Sequence, residues 1–187
     1  MHSVVVQFDA GVRGWRFQEV ASADSAPFAG ALKAWRTSAP DKDDAHLCVV
    51  LDDLLLSWEQ NHPMQTLVFF TRKGSLEVVA KFVSGALDPT LCYLGAYVVA
   101  PTLRGNGYGT RYWSVFSAFL ARSHAEVTRI ALTPLERSKR FWKRHGFAAL
   151  GAQTLGGVVK GASPFADAPL HGIEVWECTL VRKEQKK

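Results

Sequence analysis

Three glycines at alternate positions, Gly105, Gly107 and Gly109, separate a β-rich run, Cys92 to Ala100, from a run whose apolar residues, Tyr112, Trp113, Phe116, Phe119 and Leu120, recur at helical spacing. A strand, a glycine loop and a helix in that order restrict the fold more than any other stretch of the chain. Another strand-like run, Val127 to Leu132, follows the helix. Two strands joined through a helix pair in parallel, and in sheets of this kind ligands bind at the carboxyl ends of the strands.

The loop has a chemistry of its own. Glycine has no Cβ to obstruct a tight turn, so successive N–H groups can converge on one oxyanion, and the helix behind them adds its own amides and dipole. Phosphate or pyrophosphate is the ligand this favours, although three glycines alone are equally compatible with a plain turn. Two common phosphate loops are excluded. A nucleoside triphosphatase loop ends Gly-Lys-Ser/Thr, whereas Gly109 is followed by Thr110-Arg111. A dinucleotide loop needs a third glycine three residues after the second and an acidic residue closing the next strand, which here ends Leu132-Thr133-Pro134.

The remaining segments surround this unit. Val4 to Phe8 and Trp15 to Val20 read as strands joined by the turn Asp9-Ala10-Gly11. Asp24 or Ser25 caps a helix with Pro27 in its first turn and Phe28, Leu32 and Trp35 on one face; Pro40 closes it. A second helix, Ala45 to Gln60, places Leu47, Val50, Leu51, Leu54 and Trp58 together, and His62-Pro63 ends it. Thr66 to Val83 is strand-like with a hairpin turn at Lys73-Gly74. Beyond Leu132, Glu136 to His145 reads as a short helix stopped by Gly146, with strands around Phe147 to Leu155 and Gly172 to Val181 and a long loop from Gly156 to Pro169. Only the glycine-loop crossover demands parallel pairing.

A chain of 187 residues, 48% of them hydrophobic, can bury a full core and is expected to form one domain over 1–187, with 182–187 a frayed tail. No stretch is long and apolar enough to span a bilayer, and the start lacks a secretory pattern, so a cytoplasmic protein without membrane association is expected. Cys48, Cys92 and Cys178 are scattered and the histidines dispersed, which points to neither a disulfide framework nor a metal site. A formal charge of +5 speeds encounter with polyanions, cofactor or nucleic acid alike, and selects none of them.

Arg104-Gly105-Asn106-Gly107-Tyr108-Gly109, entered through Val99-Ala100-Pro101, resembles the Gln/Arg-x-x-Gly-x-Gly/Ala signature of the GCN5-related N-acetyltransferase superfamily. Glu136 to Phe147, with Trp142 ahead of Gly146-Phe147, is similar to that superfamily's second motif. The similarity spans Cys92 to Phe147. It implies an α/β (α+β) fold with a mixed, largely antiparallel, splayed sheet of six to seven strands and about four flanking helices. It further implies that acetyl-CoA is the co-substrate. Backbone groups of Tyr97, Val98 and Val99 would pair with pantetheine, and the N–H near Val98 would polarise the thioester carbonyl. Arg104, Gly105, Asn106, Gly107, Tyr108, Gly109 and Thr110 would hold the pyrophosphate, and Leu135, Ser138 and Trp142 would lie against the cofactor.

The implied reaction is direct transfer of an acetyl group to a primary amine in a ternary complex, the amine belonging to a small molecule, a protein or a nucleic acid such as tRNA. The protein would act as a monomer or homodimer. An ordinary amine is mostly protonated at neutral pH, so a base or water relay is needed. The strand position that often carries the superfamily's glutamate holds Tyr93, for which a half-buried structural role competes with a catalytic one; Glu174 and Glu177 are further candidates. The superfamily's usual acid, a tyrosine, corresponds to Trp142, whose indole N–H cannot reprotonate a thiolate. Ser138, one turn earlier, can organise a water for that step or simply provide a small residue. The basic run Arg137, Lys139, Arg140, Lys143 and Arg144 reads first as a solvated face, with a minor cofactor role for one of them, and Asp41 to Asp44 first as a solvated loop, which the resemblance would put at the acceptor entrance where it could attract a cationic amine. A coenzyme A-binding regulatory module without chemistry is the alternative.

Overall fold

Valines and aromatics dominate the strands that open the chain, and backbone hydrogen bonds join them into sheet: β1 (His2–Phe8) and β2 (Trp15–Val20) pair antiparallel from Ser3↔Val20 to Phe8↔Trp15. The computed structural model describes residues 2–8, 15–20, 26–38, 45–60, 65–85, 88–150 and 174–180. Two helices follow, α1 (Ala26–Ser38) and α2 (Ala45–Gln60), then β3 (Thr66–Arg72), β4 (Ser75–Ser84), β5 (Leu91–Val99), α3 (Tyr108–Ser123), β6 (Arg129–Leu132), α4 (Lys139–Arg144), β7 (Ala148–Ala149) and β8 (Trp176–Thr179). The fold is mixed α/β with a largely antiparallel sheet and four helices among the described residues. Among the described residues the strands number eight, β7, only two residues long, included.

Contacts divide the chain into two compact units, Met1–Phe82 with Ala96–Trp113 and Val83–Gly95 with Ser114–Lys187, so β5 and α3 contribute residues to both. In the first, the strands run β2-β1-β3-β4. β1 pairs β3 in parallel, from His2↔Thr66 to Phe8↔Arg72. This corrects the expectation of a single parallel crossover: α1 and α2 lie in the connection from β2 to β3 and return the chain in the same direction as β1. The β3–β4 hairpin turns through Lys73 (φ 49°) and Gly74 (φ 79°), both left-handed as a two-residue type I′ turn requires. Leu32 of α1 and Leu47, Leu51 and Leu54 of α2 bury their apolar faces on Leu67, Phe69, Val79, Ala96 and Val98, with Phe28 and Trp35 packed at the margin. Across this interface Lys81, 3% exposed, forms an ion pair with Asp53 of α2, and Arg36 bridges α1 to Asp52 at 2.9 Å.

In the second unit the order is β5-β6-β8-β7. β5 and β6 are parallel from Leu91↔Arg129 to Leu94↔Leu132, whereas β6–β8 and β7–β8 are antiparallel. Val83, Leu91, Tyr93, Ala131 and Val175 form its buried cluster. Cys92 is opposite Ile130, and Ile130 is opposite Cys178, so the two thiols lie in one row with a strand between them. Two strand spacings separate their Cα atoms by about 10 Å, beyond the reach of a disulfide. Burial pushes the Cys178 thiol up to about 12 and that of Cys92 higher still.

Several expectations fall outside the described residues: the caps at Asp24 and Ser25, the stretch Asp41 to Asp44, the loop Gly156 to Pro169, the tail 182–187 and the side chain of Trp58.

Candidate functional site

The approach to the glycine loop is fixed by hydrogen bonds at its base. The Ala100 N–H donates to Glu77 O at 2.8 Å, the Leu103 N–H to Ala100 O at 2.9 Å, and Pro101–Leu103 form one 3₁₀ turn. Proline suits that turn because its fixed φ costs nothing there and no N–H is lost from a ladder. The chain then enters Gly105 (φ 78°) and Gly107 (φ 77°) in the left-handed region, where any Cβ is strained. The third glycine differs from expectation: Gly109 is already inside α3.

Gly107 O accepts the N–H of Arg111 at 3.2 Å, which makes Gly107 the N-cap of α3. A glycine N-cap has no side chain to cap the first-turn amides, and that turn carries no acidic residue. Apart from its chain neighbours, no atom of the described residues lies within 4 Å of a Cβ built on Gly105 or Gly107. The glycines are therefore demanded by backbone conformation, not by crowding from the described residues. A glycine N-cap and a helix dipole at the end of such a turn are what a pyrophosphate requires.

Side chains around the loop tie it to β5. The Tyr97 hydroxyl donates to Gly109 O at 2.8 Å, and its ring meets Trp113 edge-on at 5.9 Å. Burial holds the Tyr97 phenol well above its ordinary pKa, so it stays a neutral donor. Arg104 Nε donates to Val99 O at 3.1 Å, and Asn106 Nδ2 to Arg104 O at 3.2 Å. Val98, 5% exposed, turns its side chain into the core beneath α1 and α2, which leaves main-chain groups as its means of contacting a ligand. The β5–β6 ladder closes at Leu94↔Leu132 while β5 runs on from Gly95 to Val99. Tyr108 stacks on Tyr112 at 6.4 Å, and Thr110 is exposed.

One functional-looking carboxylate lies outside the residues that the sequence singles out. Glu77 on β4 accepts a hydrogen bond from the Tyr112 hydroxyl while its own main chain receives Ala100. Burial, first, and the Glu77 bond, second, push the Tyr112 phenol well above its ordinary pKa. A lone glutamate among strand residues gives no sequence signal for a partner on a helix far along the chain.

In the second unit, the Tyr93 hydroxyl lies 3.1 Å from Thr133 Oγ1, and its ring packs in the buried cluster. Ser138 Oγ donates to Leu135 O at 2.8 Å, a local turn contact; Leu135 itself is half-buried. Trp142, 6% exposed, packs edge-on against Phe147 at 5.1 Å and Phe141 at 4.7 Å. Both acidic candidates are in ion pairs. Glu174 lies 2.8 Å from Lys139, whose hydrogen bond lowers the carboxyl's pKa, and Glu177 lies 3.0 Å from Arg129. In the basic run, Lys139 joins Glu136 and Glu174, and the Lys143 ammonium sits 5.5 Å above the Trp176 ring. Arg140 and Arg144 are exposed, as a solvated face requires. Among the described residues no group of three His, Cys, Asp or Glu is placed to hold a metal ion, and no helix is long and apolar enough to cross a membrane.

Residues 30–147 match the family model described as Acetyltransferase (GNAT) family. No curated protein sequence matches the chain. Among solved structures, the chain is similar to Tetrahymena GCN5 at 11% identity and a TM-score of 0.60, covering 95% of this chain and 96% of that one. An acetyltransferase from Thermus thermophilus aligns at 13% identity and a TM-score of 0.55, over 86% and 94% of the two chains. An aminoglycoside 6'-N-acetyltransferase complexed with coenzyme A aligns at 14% identity and 0.51, over 87% and 96%. At these identities the structural matches speak for the fold.

Proposed function

Because the chain belongs to the GNAT acetyltransferase family, we propose that it binds acetyl-CoA and transfers the acetyl group to a primary amine by direct attack in a ternary complex. The observation that carries the proposal is the left-handed pair Gly105 and Gly107 leading into a helix whose N-cap has no side chain. The pyrophosphate of coenzyme A would take the amides from Gly107 to Thr110. Its pantetheine would lie along Tyr97 to Val99, where β5 continues past its ladder with β6, as an extended amide chain added to a strand.

Acetyl-CoA would supply a thioester whose carbonyl carbon accepts the amine, with the coenzyme A thiolate as leaving group. The main-chain N–H at Val98 is the group proposed to stabilise the developing oxyanion. Tyr93 is proposed to relay the proton from the amine, its hydroxyl already in a hydrogen-bonded pair with Thr133. Trp142 cannot serve as an acid, so the departing thiolate takes its proton from water; a thiol pKa of about 8.5 makes it a fair leaving group without help. Ser138 would orient that water only by giving up its bond to Leu135 O. The acceptor belongs to a small molecule, a protein or a nucleic acid, and the cytoplasm is its proposed setting.

A second reading has specific support. With Trp142 buried and both Glu174 and Glu177 in ion pairs, a coenzyme A-binding regulatory module would keep the cradle without the chemistry. One experiment separates the readings: melting of the purified protein with acetyl-CoA, followed by release of free thiol in the presence of panels of small amines, peptides and RNA. An acyltransferase melts higher and releases thiol with one panel; a regulatory module melts higher and releases none; no shift with ligand in large excess removes both.

A further inference from the structure

We infer that the Tyr97 phenol is a positioning group that locks the strand proposed to carry pantetheine to the turn proposed to carry the pyrophosphate. The inference rests on the coenzyme A reading above and assigns a side-chain role beyond the main-chain contact expected of this residue. Tyr97 lies near the end of β5, and its hydroxyl reaches across to Gly109 O, in the first turn of α3, at 2.8 Å. A main-chain carbonyl has two lone pairs, so accepting this bond leaves one for the helix's own ladder. The buried Trp113 ring, in T-shaped contact at an interplanar angle of 86°, braces the tyrosine from α3 as well.

The arrangement closes the loop at both ends. Before the first glycine, Arg104 Nε is bonded to Val99 O; inside the helix, Gly109 O is bonded to Tyr97. Between them lie two residues, Gly105 and Gly107, in backbone conformations that could otherwise swing the helix start relative to the strand. A ligand spanning strand and turn gains from having both in register before it arrives, since the entropy of aligning them is already spent. A ligand that touches the turn alone gains nothing from the register. This asymmetry separates positioning from general support of the fold.

The test compares wild type with Tyr97→Phe, which keeps the ring and removes the hydroxyl, by calorimetric titration with coenzyme A and with ADP. ADP presents a pyrophosphate without pantetheine. The expected result is an affinity for coenzyme A about fivefold weaker in the variant, the size of one lost neutral hydrogen bond, with ADP affinity unchanged within about twofold. Equal weakening of both ligands shows a merely structural tyrosine, and unchanged binding of both shows an idle hydroxyl; either overturns the inference while leaving the coenzyme A reading intact. Failure of wild type to bind coenzyme A overturns that reading, and the inference with it.

Discussion

Replacing Gly107 tests both halves of the loop argument in one position. Gly107 holds φ at 77°, and beyond its chain neighbours a Cβ there would meet no atom of the described residues within 4 Å. Gly107→Ala therefore meets no clash with them and costs only the left-handed strain of an L residue, about 1–2 kcal/mol. For a chain of this size that lowers the melting temperature by roughly 2–8 °C. Gly107→Asn costs less, because asparagine tolerates this region far better than alanine. Stability alone would thus rank the variants wild type, Asn, Ala. Ligand binding is expected to rank differently. Both side chains project into the space proposed for the pyrophosphate, and asparagine is the larger, so both should weaken coenzyme A by about tenfold or more, the equivalent of about 1.4 kcal/mol, with Asn at least as impaired as Ala. Urea unfolding without ligand gives the first ranking and calorimetric titration the second. If the two rankings coincide, the loop matters through strain alone; if Asn binds coenzyme A as wild type does, that space is not where the ligand lies.

Two further outcomes follow from buried charge and a half-buried histidine. Lys81→Met strands the Asp53 carboxylate and should cost about 3 kcal/mol in urea unfolding, whereas adding Asp53→Leu should recover most of the loss; a single variant as stable as wild type would refute the pairing. The His124 ring, 3.1 Å from Ser84 Oγ through Nδ1, has its pKa lowered by burial. A base depressed in the folded state binds fewer protons there than when unfolded, so its contribution to stability is complete above about pH 6.5 and is lost as pH falls through the folded value. Unfolding measured from pH 7.5 to 5 should show stability declining, and His124→Asn should flatten part of the decline; an unchanged slope would remove His124 as a cause.

Much of the architecture was legible because period and punctuation agreed. α2 begins and ends at Ala45 and Gln60, as its apolar face and the following His62-Pro63 require. The β3–β4 turn falls on Lys73-Gly74, and Gly146 (φ 84°) stops the α4 segment. The parallel β1–β3 pairing was not legible, since hydrophobic pattern sets which face of a strand is buried but not which strand lies beside it. The glycine loop could be located but not resolved: spacing could not show that Gly105 and Gly107 are left-handed while Gly109 is helical. Side-chain partners were least legible. Tyr97 reads as a strand residue with a main-chain role, and its bond to Gly109 O depends on how β5 and α3 pack, as does the bond from Tyr112 to Glu77. Lys81, in the middle of a strand, carries no sign in the sequence that α2 brings Asp53 over it.

Cys92 and Cys178, on either side of Ile130, give this chain a built-in witness. Their sulfurs are too far apart to join and too reluctant to ionise for alkylating reagents to find them while β5, β6 and β8 stay together. Alkylation of Cys92 therefore reports local opening of β5, and alkylation of Cys178 local opening of β8, so the two rates compare the strands on either side of β6.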